Sequence, residues 1–549
     1  MTCILVACSC SRQTHPAQAQ VGETVQPQQG TEQPPRGPSV PVRIQQLADK
    51  YGLVPTAGSG AIDRERPTWG DKWMLTFPHD SKRAKMDEFL QEWRAEKSVD
   101  DLIAETASDD PFCRARAAGR LGYAARDNTR REELQRAVPA LIALLDDDTP
   151  LDITYINPLW APIPTSAHTP GQEAASALQA IRPTDPSVLL AAVDDATSPH
   201  ALRNLAATLA YFPQNEGLIQ RLLRLLEHGD GRVRATAAGS LAHLIREQAI
   251  DPITRIKPSS AVEAMEFARV LIRIDTQRSR DAVLTMLADG SDDVRWGAAE
   301  SVCERLFNTG GEVDAAWRAR TLDALVTLMV EDPSETIRYR IASLMRYNTA
   351  GDECVTEALI QAALGDSSPT VRLSATKSLR YPGLAFPERR VDAVLKLLQA
   401  PEADIRAAAA ATASAMLTED RTAVGRQRLA PLKQALAVAF ADPEGRVREA
   451  AAAGVGWHAD DTAIEMLTEA LISDPHDRTR WAAGEALAKV DGVGLDVIRR
   501  LDAAILDDQS KARENSYLLT AIWGITGIEG VNYPDRLDWW LKHRAEYLK

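Results

Sequence analysis

At 549 residues a compact fold would divide into several domains, whereas a chain of stacked repeats lengthens by addition and forms a single body. Aromatic residues are only 5% against 45% hydrophobic, so the core is built from Ala, Leu and Val rather than around large pockets. A formal net charge of −14 sets aside nucleic acid as a partner, because binding a phosphate backbone needs an excess of Lys and Arg.

The first residues, MTCILVACSC, contain Leu5-Val6-Ala7-Cys8, which looks like a bacterial lipobox whose Cys becomes acylated. Only seven residues precede Cys8 and none is Lys or Arg, a departure from the basic start and longer apolar run of a secretory signal. Residues 9–41, rich in Gln, Pro, Gly, Thr and Ser, read as a flexible tether. The expectation is a lipid anchor at Cys8 in the bacterial cell envelope, with residues 1–8 as a truncated signal; a cytoplasmic protein with a disordered start is the alternative.

Residues 42–100 have a different texture, with Trp69, Trp73, Phe77, Phe89 and Trp93 close together. TWGDKWMLTF reads as a strand or extended strap, and KRAKMDEFLQEWRAEK as an amphipathic helix. The segment is expected to cap the apolar end of a repeat array; a small ligand-binding domain is the other reading.

From residue 101 to 522 one pattern recurs, seen in DGRVRATAAGSL, SPTVRLSATKSL and EGRVREAAAAGV. An aliphatic residue precedes an Arg, small residues follow at three and four positions, and an apolar one follows at seven, which is one face of a helix. Aligned copies place Arg114, Arg203, Arg234, Arg295, Arg338, Arg372, Arg406, Arg448, Arg480 and Arg513 mostly about 31 to 43 residues apart, the length of a helix pair. Worn copies stand between them, with Glu263 and Gly171 at the Arg position, giving on the order of 12 pairs. Ser291, Ser334, Ser368, Asp110 and Asp230, four residues before an Arg, are candidate helix N-caps. Ala pairs such as Ala237-Ala238 and Ala298-Ala299 allow close helix approach above a layer holding Leu241, Val302 and Leu379.

Six residues before the Arg an Asp often stands, namely Asp289, Asp332, Asp366, Asp442, Asp474 and Asp507. With Asp332-Pro333, Asp442-Pro443, Asp474-Pro475 and the Val or Ile before the Arg, this resembles the HEAT repeat, more narrowly the HEAT-like repeat of phycobilisome lyases. The resemblance implies an all-α fold, an α-solenoid of stacked helix pairs with N- and C-terminal caps. It also implies a ladder of charge-assisted hydrogen bonds joining Asp289, Asp332, Asp366, Asp442, Asp474 and Asp507 with Arg295, Arg338, Arg372, Arg448, Arg480 and Arg513.

An insertion at 149–169 interrupts the second copy, and its Tyr155, Ile156, Leu159 and Trp160 among prolines suit either a binding loop or one folded over the neighbouring repeat. Aromatics nine positions after the Arg, Tyr123, Phe212, Tyr347, Tyr381 and Trp457, are expected to seal turns between repeats. Trp296, Tyr339 and Trp481 directly follow the Arg and are candidate partner contacts on the concave surface, together with Trp160 and Tyr155. Cys113 stands where other copies have Val or Ile and is expected in the core. At the other end, residues 523–549 carry Trp523, Tyr533, Trp539, Trp540 and Tyr547, rings suited to closing the array.

The 9 His are scattered, with no His-x-x-x-His or His-Glu-x-x-His spacing, no Cys-x-x-Cys, no Walker loop and no Gly-x-Ser-x-Gly elbow. No metal, cofactor or catalytic residue is expected. The sequence reads as a non-catalytic scaffold for protein partners; an envelope enzyme or cofactor-handling factor, its chemistry in residues 42–100 around Trp69 and His79, is the alternative.

Overall fold

The computed structural model describes residues 54–57, 73–76, 97–150, 153–157, 169–307, 313–347, 351–381, 387–419, 423–457, 459–507, 517–528 and 535–549. They fall into two compact units, one drawn from residues 1–96 and 152–165, the other from 97–151 and 166–549.

The larger unit is an all-α solenoid. Its second helices carry the Arg motif and pack in series: Pro111–Ala124 on Pro170–Ile181, then Pro199–Leu209, Gly231–Ile245, Ala261–Ile274, Asp292–Phe307, Glu335–Leu344, Pro369–Ser378, Ala403–Glu419, Gly445–Val455, Asp477–Leu487 and Tyr517–Thr526. That makes twelve among the described residues, with the worn copies at Gly171 and Glu263 occupying full places. The first helices form the other layer, successive members touching through Ser187–Asp195, Glu216–Leu226, Ile250–Arg255, Gln277–Leu287 and Ala315–Glu331.

Short polar side chains start these helices as local chemistry requires. Asp230 accepts from the N–H groups of Arg232 and Val233, Ser368 from Thr370 and Val371, and Ser98 forms a reciprocal capping box with Asp101. Ser334 is different, since its side chain makes no cap bond and Asp332 accepts the Ser334 N–H instead. Between second helices the small residues vanish from solvent: Ala237, Ala238, Ala298, Ala299, Ala451 and Ala452 are fully buried above Leu241, Val302 and Leu379. Gly297 lies against the backbone of Ala261 and Met265 so closely that a methyl group there has no room. Cys113 is only half-buried, its thiol 3.5 Å from Asp110, so it is not the core residue its position suggested.

Toward the C-terminus, Trp523 and Trp540 are buried, Trp523 meets Trp539 edge-to-face with centroids 5.5 Å apart, and the Trp540 indole N–H donates to Asp502 Oδ1 at 2.9 Å. Arg544 holds the same carboxylate, so the aromatic cluster is fixed to helix Leu495–Asp507 by a satisfied polar anchor.

The smaller unit contains a three-stranded sheet of β1 (Val54–Ala57), β2 (Trp73–Thr76) and β3 (Ile153–Asn157). β1 runs antiparallel to β2, pairing Val54 with Thr76; β2 runs parallel to β3, pairing Leu75 with Ile156. Along Ile153–Asn157 the backbone of the insertion at 149–169 is thus a strand of this sheet rather than a free loop. Among the described residues no helix is long and apolar enough to cross a membrane.

Candidate functional site

The ladder arginines among the described residues reach both ways. Their Nη1 atoms donate back to the carbonyl six residues earlier: Arg295 to Asp289 at 2.8 Å, Arg338 to Asp332 at 2.7 Å, Arg372 to Asp366 at 2.7 Å and Arg448 to Asp442 at 2.7 Å. The other edge of the guanidinium grips the carboxylate of the following repeat. Arg295 Nε and Nη2 lie 2.7 and 3.0 Å from Asp332; Arg338 meets Asp366, Arg406 meets Asp442 and Arg448 meets Asp474 in the same two-point way. One Arg therefore closes its own turn and fastens the next, a geometry suited to the planar guanidinium fork. In the regular rungs of Arg295, Arg338 and Arg448 the partner of the side chain is the neighbouring repeat's Asp, and the Asp of the same repeat contributes its carbonyl.

These contacts move the proton equilibria. The Arg406 hydrogen bond is the leading cause holding Asp442 below the ordinary value of 3.8. Burial works to raise Asp366 and Asp474, yet bonds from Arg338 and Arg448 bring both below that value.

Several rungs are built otherwise. Arg372 pairs with Glu402, four residues before Arg406, where Ala400 holds the Asp position. Glu263, at an Arg position, is itself the acid of Arg234: Nε and Nη2 donate to its two oxygens at 2.6 Å, and the pair is buried. Arg114 takes Asp147, just ahead of the insertion. At Gly171 an added Cβ would come within 2.7 Å of the Leu145 carbonyl, which instead accepts from Asn204 Nδ2 at 2.9 Å. Asp289 follows Glu263 rather than an Arg, and its carboxylate accepts the Ser291 N–H. At the far end Arg480 donates to the Tyr517 hydroxyl at 2.8 Å and stands 5.2 Å from its ring, while Asp507 is exposed. Tyr517 and not Asp507 thus takes Arg480, because a phenol on the last second helix lies where other repeats place a carboxylate. Arg513 lies outside the described residues.

The candidate contact residues do not share one environment. Trp481 is 53% exposed and Tyr339 41%, so both offer ring surface on second helices. Trp296 has the same phase but is half-buried, with the Arg340 guanidinium 4.8 Å from its ring. Tyr155 lies in β3, and Trp160 and Cys8 fall outside the described residues. Of the aromatics expected to seal turns, Phe212 is buried and Trp457 packs on the core, but Tyr123, Tyr347 and Tyr381 stay exposed. The Arg126 and Arg346 guanidinium groups lie over Tyr123 and Tyr347 at 4.9 and 4.7 Å.

Two shallow clefts open beside the helix ends. One of about 530 Å³ lies among Arg182, Tyr211, Pro213 and His243, with the Tyr211 and His243 ring centroids 5.8 Å apart; another of about 500 Å³ lies among Arg246, Gln248, Thr276 and Arg278. Arg182 and Arg246 each adopt a positive φ, of 54° and 47°, a conformation that costs a non-glycine residue about 1 kcal/mol or more. No group of three or more His, Cys, Asp or Glu arranged for a metal occurs among the described residues.

A family model for HEAT repeats matches residues 429–518. Among solved structures, Kap121p resembles the chain with a TM-score of 0.54 at 13% identity, over 84% of this chain and 50% of that one. Kap95p, from a study of its binding to RanGDP, gives 0.54 at 12%, over 85% and 67%, and the karyopherin Kap121p bound to the SUMO protease Ulp1p gives 0.53 at 13%, over 84% and 51%. The chain spans about half the length of Kap121p, and at such identities the likeness is one of fold. No curated protein matches the chain.

Proposed function

We propose that the chain is a non-catalytic scaffold that binds protein partners through the exposed rings of its second helices. The observation carrying this reading is the exposure of Trp481 and Tyr339 at one phase of the repeat, while the charged residues of that phase are engaged in the ladder. Large rings held on rigid helices lose little entropy on contact and dominate interface energetics. The ladder leaves its carboxylates and guanidinium groups paired, a poor arrangement for general acid–base work. A solenoid of similar fold, Kap121p, is bound to the protease Ulp1p in one of the structures above, which supports a protein as partner.

Trp481→Ala and Tyr339→Ala test this. Each is expected to keep the wild-type melting profile and to weaken capture of a partner first identified with the wild-type chain, a hot-spot ring contributing about 2 kcal/mol. Wild-type capture by both variants refutes the surface, whereas Trp296→Ala, its ring already covered by Arg340, is expected to matter less. Anchoring through Cys8 in the cell envelope is part of the proposal and is supported by the sequence alone. Labelling with a fatty-acid analogue that Cys8→Ser abolishes is the expected result, and unlabelled wild type overturns the anchor.

A further inference from the structure

Arg203 stands at the ladder phase but has none of the ladder's contacts. The register places residue 228 opposite it, where Asp332, Asp366, Asp442 and Asp474 stand in other repeats, and this residue is His228. His228 reproduces half of the aspartate's work: its Nδ1 accepts the Asp230 N–H at 3.0 Å, as Asp366 accepts the Ser368 N–H at 2.8 Å. A neutral imidazole accepting at Nδ1 carries its proton on Nε2, so it offers a donor where aspartate offers a second oxygen. Arg203 has no use for another donor. Among the described residues its guanidinium makes one hydrogen bond, from Nη2 to His200 Nδ1 at 3.1 Å, and the other ring nitrogen of His200 lies 3.4 Å from Thr169 Oγ1.

Aspartates lie near Arg203 and His200, but among the described residues none of them bonds to the Arg203 guanidinium. Arg232 is close enough to repel Arg203, and its own side chain is exposed with no ion pair among the described residues. Asp230 and Asp148 act on Arg203 only through space, and one Asp230 oxygen already accepts two N–H groups at 2.8 and 3.1 Å. Burial and then Arg232 pull the Arg203 pKa down, whereas the hydrogen bonds they donate to carboxylates push Arg234, Arg295, Arg338, Arg406 and Arg448 up. His200 is likewise lowered, by burial and then by Arg203, although Asp146, Asp147 and Asp148 oppose this.

We infer that Arg203, Arg232 and the Nε2–H of His228 form a receptor for a carboxylate side chain from an acidic segment of a protein partner. The chemistry is the one that this fold gives its other ladder arginines, supplied here from outside the chain. An overall charge of −14 repels acidic chains, so binding of such a segment depends on a local basic site of this kind. The inference deepens the scaffold reading by naming the partner's chemistry and rests on it for the carboxylate's source.

The test is fluorescence anisotropy of a labelled hexaglutamate peptide titrated with the full chain at low salt. Binding by wild type is expected, weakened about tenfold or more by Arg203→Gln. His228→Asp is the decisive variant, because it supplies the missing acid from within: it is expected both to raise the melting temperature and to remove peptide binding. Arg478→Gln, a loss of the same charge at an exposed site, is expected to change neither. Equal binding by wild type and His228→Asp overturns the inference, as does displacement of the peptide by inorganic phosphate at concentrations where acetate has no effect. The titration reads this site and the capture assay on Trp481→Ala and Tyr339→Ala reads the ring surface, so the two proposals fail separately.

Discussion

Replacing Arg295 by Ala takes both two-point bonds from Asp332, at 2.7 and 3.0 Å, and the 2.8 Å bond from the Asp289 carbonyl. Asp332 is only 6% exposed and keeps a single donor, the Ser334 N–H, so the variant leaves an almost unpaired carboxylate away from water. Breaking a buried pair from one side costs about 3 to 5 kcal/mol, and the remaining bond places the loss at the lower end, about 3 kcal/mol. Arg372→Ala removes the same kind of residue, but its acid, Glu402, has a side chain one-third exposed and can turn to water. Screening reduces that pair to about 1 kcal/mol or less, and the lost bond to the Asp366 carbonyl adds about 1 kcal/mol. Urea unfolding followed by far-UV circular dichroism, with hydrogen exchange to locate the weakened repeat, is expected to rank Arg295→Ala clearly below Arg372→Ala. Equal losses, or a loss under about 1 kcal/mol at Arg295, would show that burial of the carboxylate does not set the strength of a rung.

The ladder also makes the solenoid acid-sensitive. Asp366, Asp442 and Asp474 have folded pKa values below their ordinary 3.8, so their stabilisation is complete above that value and is lost as pH falls through the folded values. Melting temperatures are expected to decline below about pH 4, and Asp442→Asn to lower stability at neutral pH while flattening that decline; an unchanged slope in this variant counts against the rung as its source. Thiol reactivity gives an independent check on packing: Cys354 is exposed, whereas Cys303 is buried and burial pushes its pKa up. Alkylation of the native chain is expected to mark Cys354 and to reach Cys303 only on unfolding, and rapid native labelling of Cys303 contradicts the packing of helix Asp292–Phe307.

Helix pairs and buried Ala layers were legible because both depend on local periodicity, and the Arg motif marks each second helix by itself. Partner choice was less legible, since it depends on the following repeat. Glu263 reads in sequence as a worn Arg position, yet its phase next to Arg234 makes it that residue's acid. The signal was a charge of opposite sign at the ladder phase, visible only once rungs are known to run between repeats. His228 is found by the same rule, six residues before Arg234. The strand in the insertion left a local trace in Ile153-Thr154-Tyr155-Ile156, β-branched and aromatic residues in a row, but the surrounding prolines favoured reading a loop. Trp296 and Trp481 share a phase and differ in exposure because residue 340, one repeat on from Trp296, is an Arg that reaches its ring.

A regular ladder is a poor place for recognition. Where Asp332, Asp366, Asp442 and Asp474 follow one another, each acid is held by the repeat before it, so a partner meets groups whose hydrogen bonds are already made. Apart from Arg372 with Glu402 and Arg480 with Tyr517, the departures from the pattern lie between Asp147 and Arg278: Gly171 with Asn204, Arg203 with His228, Arg234 with Glu263, and the two clefts beside the strained Arg182 and Arg246. At Glu263 the chain has replaced the missing acid from within and restored a buried pair. At His228 it kept the capping bond and omitted the acid, although a single change to Asp would supply both. The cost of that omission falls on stability, and the carboxylate binding proposed at Arg203 is the function this departure would serve.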